Sequence, residues 1–276
     1  MKIELWNTYH LMTLAVFAGV LILFCLLLKN RNESAQKKIL LVIAFANLAL
    51  HFLKLLIPQY KDDMPISIRK VTFENICATT TIMMPFVLLS NNKVMKDYIV
   101  YMGILGGLAA LIYPTEAFNR ELTNLDVIRF YICHIVLFIV PFCLVFFGLH
   151  KLETQRVLCF PLIFLLVECL ILANEIILME AGFVDLRGND FLTYNYRNSN
   201  FIFGPTEDLK ELSDKLVDPL VPKIFKTVGA GAHAGAEKYL PVVWLAVPCF
   251  VYFTLIGYLF CFIFRKCGNK GSAASF

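Results

Sequence analysis

Apolar residues run in long blocks along this chain, separated by short polar stretches. Seven blocks approach the roughly 17–25 residues a helix needs to cross a bilayer core. They are 10–28, 39–57, 75–90, 98–113, 127–149, 157–178 and 240–264. Phe, Leu and Ile occur all round most of them, which suits lipid contact and excludes soluble amphipathic helices. The third and fourth are near the lower limit and read as tilted, re-entrant or extended by flanking residues. The pattern predicts an all-α membrane protein with about seven transmembrane helices, forming a single polytopic membrane domain over 1–276. Residues 179–239 contain no long apolar run and read as an external loop. Within it, Thr206-Glu207-Asp208 followed by Leu209, Leu212 and Leu216 predicts a capped amphipathic helix near 206–217. The Asn- and Tyr-rich stretch 188–200 reads as a structured loop or lid.

Composition agrees with the block pattern: 59% of residues are hydrophobic and 17% charged, and the mean hydropathy is +0.70. Lys and Arg in the short loops set the expected orientation. Lys29, Arg31, Lys37, Lys38, Lys93, Lys96, Lys151, Arg156, Arg265, Lys266 and Lys270 all fall on one side. The other side holds Lys2, Lys61, Arg69, Lys70, Arg120 and Arg129, diluted by acids. This predicts an outside N-terminus and a cytoplasmic C-terminus, in the plasma membrane or, in a eukaryote, an internal membrane. The first block has no small-residue cleavage site and ends in Lys29-Asn30-Arg31, so it reads as a span, with no cleavable leader.

The net charge of +4 is accounted for by the cytoplasmic loops. No basic stripe with interleaved aromatics suggests a nucleic-acid partner. Eight of the nine cysteines lie inside the predicted spans without a CxxC pair or Cys/His ligand spacing. Neither a metal site nor a disulfide framework is expected, and no cofactor is implied.

Polar side chains inside the blocks carry the functional signal, because they are costly in lipid. Glu74-Asn75-Ile76-Cys77-Ala78-Thr79-Thr80-Thr81 opens the third block, with Cys77 in the first helical turn. Unpaired N–H groups there favour an anion such as a thiolate. Asn47, His51 and Lys54 share one face of the second block. They read either as a snorkelling Lys and a His bonded to a backbone carbonyl, or as the lining of a cavity. His10 opens the first block among interfacial aromatics. Gly103 and Gly107 form a GxxxG pair for close helix packing. In the fifth block Arg129 is near enough to the surface to snorkel or pair with Asp126, and His134 lies about 7.5 Å further in at 1.5 Å per residue. Glu168 and Glu175 share a face of the sixth block, beside Asn174.

With the predicted topology, His10, His51, Lys54, Cys77, His134, Asn174 and Glu175 all fall in the outer halves of their spans. Only Glu168 is nearer the midplane. A polar chamber opening outward follows. A Cys with a His in such a chamber suggests nucleophilic catalysis through a thioester, with Asn75, Asn174 or the first N–H groups of the third helix holding the oxyanion. A proton- or solute-coupled transporter using His51, Lys54, Glu168 and Glu175, or a membrane sensor, is the alternative.

Several elements then resemble, in order, those of the YwaF-like integral membrane family, which includes phospholipid acyltransferases of ether phosphatidylethanolamine synthesis. Asn75-Ile76-Cys77 resembles the family's His-Leu-Cys. Gly103-Ile104-Leu105-Gly106-Gly107-Leu108 through Pro114 resembles its Gly-rich helix. Arg129-Phe130-Tyr131-Ile132-Cys133-His134 resembles its Arg-Phe element ending in His. Tyr194-Asn195-Tyr196 and Gly204-Pro205 resemble its later elements. The resemblance implies an acyl-carrying Cys77, a His134 base, and membrane phospholipids and lysophospholipids as partners, with Asn195 and Arg129 among the supporting residues. Asn75 stands where the family has His.

Overall fold

Asparagine caps begin most of the long helices. In the computed structural model, which describes residues 2–57, 60, 64–183, 201–205, 210–228 and 237–265, α1 is Thr8–Lys29 and α2 is Glu33–Phe52. The side chain of Asn7 accepts from His10 N, and that of Asn32 accepts from Ala35 N. Asn92 and Asn124 do the same for α5 (Lys93–Ile112) and α6 (Leu125–Phe146). A capping oxygen satisfies one of the orphan N–H groups at a helix start. Helices α2 and α5 therefore begin several residues ahead of their apolar blocks, on polar first turns that hydropathy does not register. Between them lie a 3₁₀ turn, Leu53–Leu56, the short α3 (Met64–Val71) and α4 (Ile76–Leu89). The chain continues through α7 (Cys159–Glu180), α8 (Lys210–Leu216) and α9 (Ala246–Arg265).

Six helices are long and apolar enough to cross a membrane, and α4 is a shorter apolar helix. Its 14 residues rise about 21 Å at 1.5 Å per residue, less than the roughly 30 Å hydrocarbon core. The protein is thus an all-α integral membrane protein with six long apolar helices among the described residues, and the third of the expected spans is the shorter α4. Its Thr79, Thr80 and Thr81 are all buried. Burial also ranks the helices: 67% of the apolar window of α6 is buried, against 11% for α1. Helix α6 is therefore the axis of the bundle and α1 its outer edge.

Close packing of α5 on α6 depends on the glycine pair. A Cβ on Gly103 would sit 2.5 Å from Pro141 Cγ, and one on Gly107 would sit 2.9 Å from Phe138 N. Both distances are too short for any larger residue without moving backbone.

Contacts between helix ends show how the chain alternates. Ile3 bridges to Phe118, and His10 Nε2 donates to Leu111 O at 3.0 Å. This puts the start of α1 beside the end of α5. At the opposite end Asp97 is held by His150 and Arg156, each at 2.6 Å. A two-stranded antiparallel ribbon, β1 (Lys226–Val228) with β2 (Glu237–Tyr239), is the one sheet among the described residues. Asp218 anchors it through Lys226 and Tyr239. Gly204, at φ +131°, packs against the Tyr239 ring, where a Cβ would meet the ring at 2.9 Å. Helix α8 covers the described part of the expected amphipathic helix, and its Leu212 and Leu216 face away from the protein. The 188–200 stretch with Asn195, the residues 206–208 and the residues 229–236 lie outside the described residues.

Candidate functional site

Helix α4 brings its first turn against α5 and α6, and this junction opens into a cavity of about 650 Å³. Asn75 caps α4: its Oδ1 accepts from Ala78 N at 2.8 Å. That cap starts the helix one residue before Ile76 and sets Cys77 at its second position, where the thiol lines the cavity. Gly106 is the residue facing it. A Cβ there would stand 3.4 Å from Cys77 Sγ, so the glycine read as packing also makes room for the sulfur. The next residue, Gly107, lies against the His134 carbonyl, 3.0 Å from where its Cβ would be. Cys77 and His134 thus flank one turn of α5, and both line the same cavity.

The hydrogen bond that His134 makes sets its tautomer. Nδ1 lies 2.8 Å from Phe130 O, one turn back on α6. A carbonyl can only accept, so Nδ1 carries the proton and Nε2 keeps its lone pair. The Phe130 ring, 4.3 Å from the imidazole centroid, holds the ring in place. His51 also lines the cavity, and its Nε2 donates to Val71 O at 3.1 Å.

Charged groups gather where the cavity meets the loops. Lys54 is buried and donates to Lys70 O at 2.9 Å. Of the alternatives for the α2 stripe, His51 does bond a carbonyl but Lys54 does not snorkel; both line the cavity, while Asn47 reaches Cys133 O without lining it. Lys70 pairs with Glu74 at 2.5 Å. Burial pulls the Lys70 ammonium down, but Glu74 and Glu116 outweigh it and hold its pKa above the ordinary lysine value. Arg129 does not snorkel: its Nε and Nη2 bind Asp126 Oδ1 at 3.0 and 2.7 Å. Arg120 and Tyr60 take Asp126 Oδ2.

Glu116 was legible only as part of a polar loop after Pro114. It lies in the 3₁₀ turn Thr115–Ala117, and its surface is accessible because it faces the cavity. There it feels the charges of Lys70, Lys54 and Arg129. The available sequence signal was its position: an acid one turn past a proline-ended span, at the same end as Cys77.

Beyond the Cys–His pair the cavity becomes apolar and runs between α7 and α9, lined by Phe164, Leu245, Pro248, Cys249 and Phe253. Glu168 is in this wall. It is fully buried, and neither carboxyl oxygen has a hydrogen-bond partner among the described residues. Tyr98 and Thr80, also buried, have hydroxyls in the same condition.

Three expected members are elsewhere. His10 is fully buried and spent on Leu111 O and Trp6 N. Asn174 donates to Thr72 Oγ1 at 3.2 Å, and Glu175 pairs with Arg69 at 3.1 Å. These two tie α7 to α3 and its exit, and neither lines the cavity. The oxyanion role considered for Asn174 therefore has no geometric support, whereas Asn75 does line the cavity. Among the described residues no group of His, Cys, Asp and Glu has the arrangement of a metal site.

A sequence model of the TMEM164 family matches residues 5–212, more than half of the chain. The span includes the capped α4, the glycine pair and the α6 His. No curated protein and no solved structure matches.

Proposed function

The chain belongs to the TMEM164 family, and from two side chains that line one chamber, Cys77 and His134, we propose that it is a membrane-embedded enzyme acting on phospholipid acyl chains. The observation that carries this reading is that Cys77 lines the same cavity as a His134 whose Nε2 is left as an acceptor, where a polar mouth joins an apolar branch. An acylated lipid needs both environments. The resemblance of the Cys- and His-bearing elements to YwaF-like acyltransferases supports the same reading.

The chemistry balances as follows. His134 Nε2 takes the Cys77 thiol proton, and the thiolate attacks the ester carbonyl carbon of a phospholipid. A C–S bond forms, the ester C–O bond breaks, and His134 returns the proton to the departing lysolipid oxygen. In the second half a hydroxyl, from a lysolipid in transfer or from water in hydrolysis, gives its proton to His134 and attacks the thioester carbon. The C–S bond breaks, and the thiolate recovers the proton. Asn75 and the first-turn N–H groups of α4 are the candidates for the oxyanion. Loop charges assign the polar mouth to the outer face of the cell membrane, or to the lumenal face of an internal one.

Intact-protein mass spectrometry after incubation with phospholipid tests this directly. Wild type should carry a hydroxylamine-labile, fatty-acyl-sized adduct that Cys77→Ala lacks. Equal spectra, with turnover slowed by His134→Ala, would sink the reading. Glu168 favours a second one, a proton-coupled solute transporter, because a carboxyl without a partner in a cavity wall can load and release a proton.

A further inference from the structure

Among the described residues at the mouth of the chamber, cations outnumber acids. Arg69 is matched by Glu175 and Lys70 by Glu74. Arg120 and Arg129 share a single carboxylate, Asp126. Lys54 is 6% exposed, and its described acceptor is a backbone carbonyl. Arg129 is 7% exposed, and with Nε and Nη2 on Asp126 its Nη1 reaches only Cys133 Sγ at 3.9 Å, a weak acceptor. Among the described residues Glu116 is the one acid that lines the mouth beside them. Among the described residues these two cations, each more than nine-tenths buried and lining one cavity, have no carboxylate bonded to Lys54 Nζ or Arg129 Nη1. Uncompensated charge in a low-dielectric wall is costly.

We propose that this mouth is an anion site, and that Lys54 Nζ and Arg129 Nη1 hold the phosphate of a glycerophospholipid headgroup there. A phosphate offers several charged acceptor oxygens, which suit an ammonium and the free edge of a guanidinium. The position selects a lipid phosphate over a fatty-acid carboxylate. Arg129 is in the first turn or so of α6, and His134 lies about 7.5 Å deeper at 1.5 Å per residue. A glycerophospholipid has its phosphate a few bonds from its acyl esters, so a phosphate held at the mouth presents an ester to Cys77 and a chain to the apolar branch. A fatty acid has its only anion at the carbon that must react. Identifying the anion as a lipid phosphate rests on the acyl-chain reading, whereas the charge excess does not.

Binding separates the two claims, because it can be read in a Cys77→Ala background without turnover. The full chain, purified in an uncharged maltoside detergent, is titrated by native mass spectrometry with palmitoyl-lysophosphatidylcholine, with palmitoylglycerol and with inorganic phosphate. The expected result is at least about tenfold tighter retention of the lysophospholipid than of the neutral lipid with the same chain. Lys54→Met should remove most of that preference and leave palmitoylglycerol binding unchanged. Arg129→Lys, which keeps the charge on Asp126 but not the guanidinium fork, should weaken it in part. Equal retention of the two lipids by the unaltered mouth overturns the proposal, and this comparison needs no variant to fold. Inorganic phosphate binding as tightly as the lysophospholipid also overturns it, in favour of a free-phosphate site. Failure of the acyl adduct with the phosphate preference intact would count against the chemistry and not the site.

Discussion

Nε2 of His134 is left as an acceptor because Nδ1 is committed to Phe130 O, and at the scale of single residues this is the detail on which the chemistry turns. His51 is the mirror case: Nε2 donates to Val71 O, leaving Nδ1 with the lone pair. Two imidazoles in one cavity make an experimental distinction. Acyl-exchange kinetics should show His134→Gln losing roughly 10²–10⁴-fold in rate, the usual contribution of general acid–base catalysis. His51→Gln, which keeps a donor for Val71 O, should retain most of the activity. The reverse ranking would move the base to α2. Cys77, His134, His51 and Lys54 could be picked out in the sequence because each is a polar group inside an apolar block. Glu116 could not, because it lies just past a block, where an acid is unremarkable. Asn174 and Glu175 show the converse limit. A shared helix face gives a direction, but the neighbour met at a given height depends on the fold. Glu168 meets the cavity, and Glu175, seven residues on along the same face, meets Arg69 of α3.

Among the elements, α5 is the joint between Cys77 and His134, since Gly106 faces the Cys77 sulfur of α4 and Gly107 the His134 carbonyl of α6. Gly103→Ala and Gly107→Ala should each destabilise the protein by about 1–3 kcal/mol, the range for overpacking a close contact. Thermal unfolding in detergent checks this, with Gly19→Ala as the control. Gly19 has nothing within 4 Å of an added Cβ and should be neutral or slightly stabilised, because alanine is the better helix former. The GxxxG spacing announced a close approach without saying to which helix. The short α4 was visible as a short block, but the neighbours it packs against were not. Polar hydroxyls at Thr79, Thr80 and Thr81 suit that packing, because they face protein rather than lipid.

For the whole molecule, the wall carboxyl Glu168 distinguishes an enzyme from a transporter. Glu168→Gln preserves shape and removes the titrating group. The enzymatic reading expects acyl exchange within a few-fold of wild type, measured by lipid mass spectrometry in vesicles. The transport reading expects loss of proton-driven solute uptake in the same vesicles, with Cys77→Ala leaving uptake intact. What the sequence by itself determined is the class of molecule: long apolar blocks separated by short polar stretches can satisfy their backbone groups in lipid only as helices, and an Asn at the head of a helix caps it wherever it then packs. The alternation of helix ends put the reactive residues at a common end of the bundle for the same local reason. Only the tertiary structure decided which of those residues share a cavity, because that depends on the height and rotation at which separate helices pack. It set Glu116 in the same cavity as Lys54 and His134, drew Asn174 and Glu175 away to α3, and enclosed Glu168 without a hydrogen-bond partner among the described residues. Pairings between residues far apart in the chain are set by packing, and the periodicity of one helix carries no record of its neighbour's.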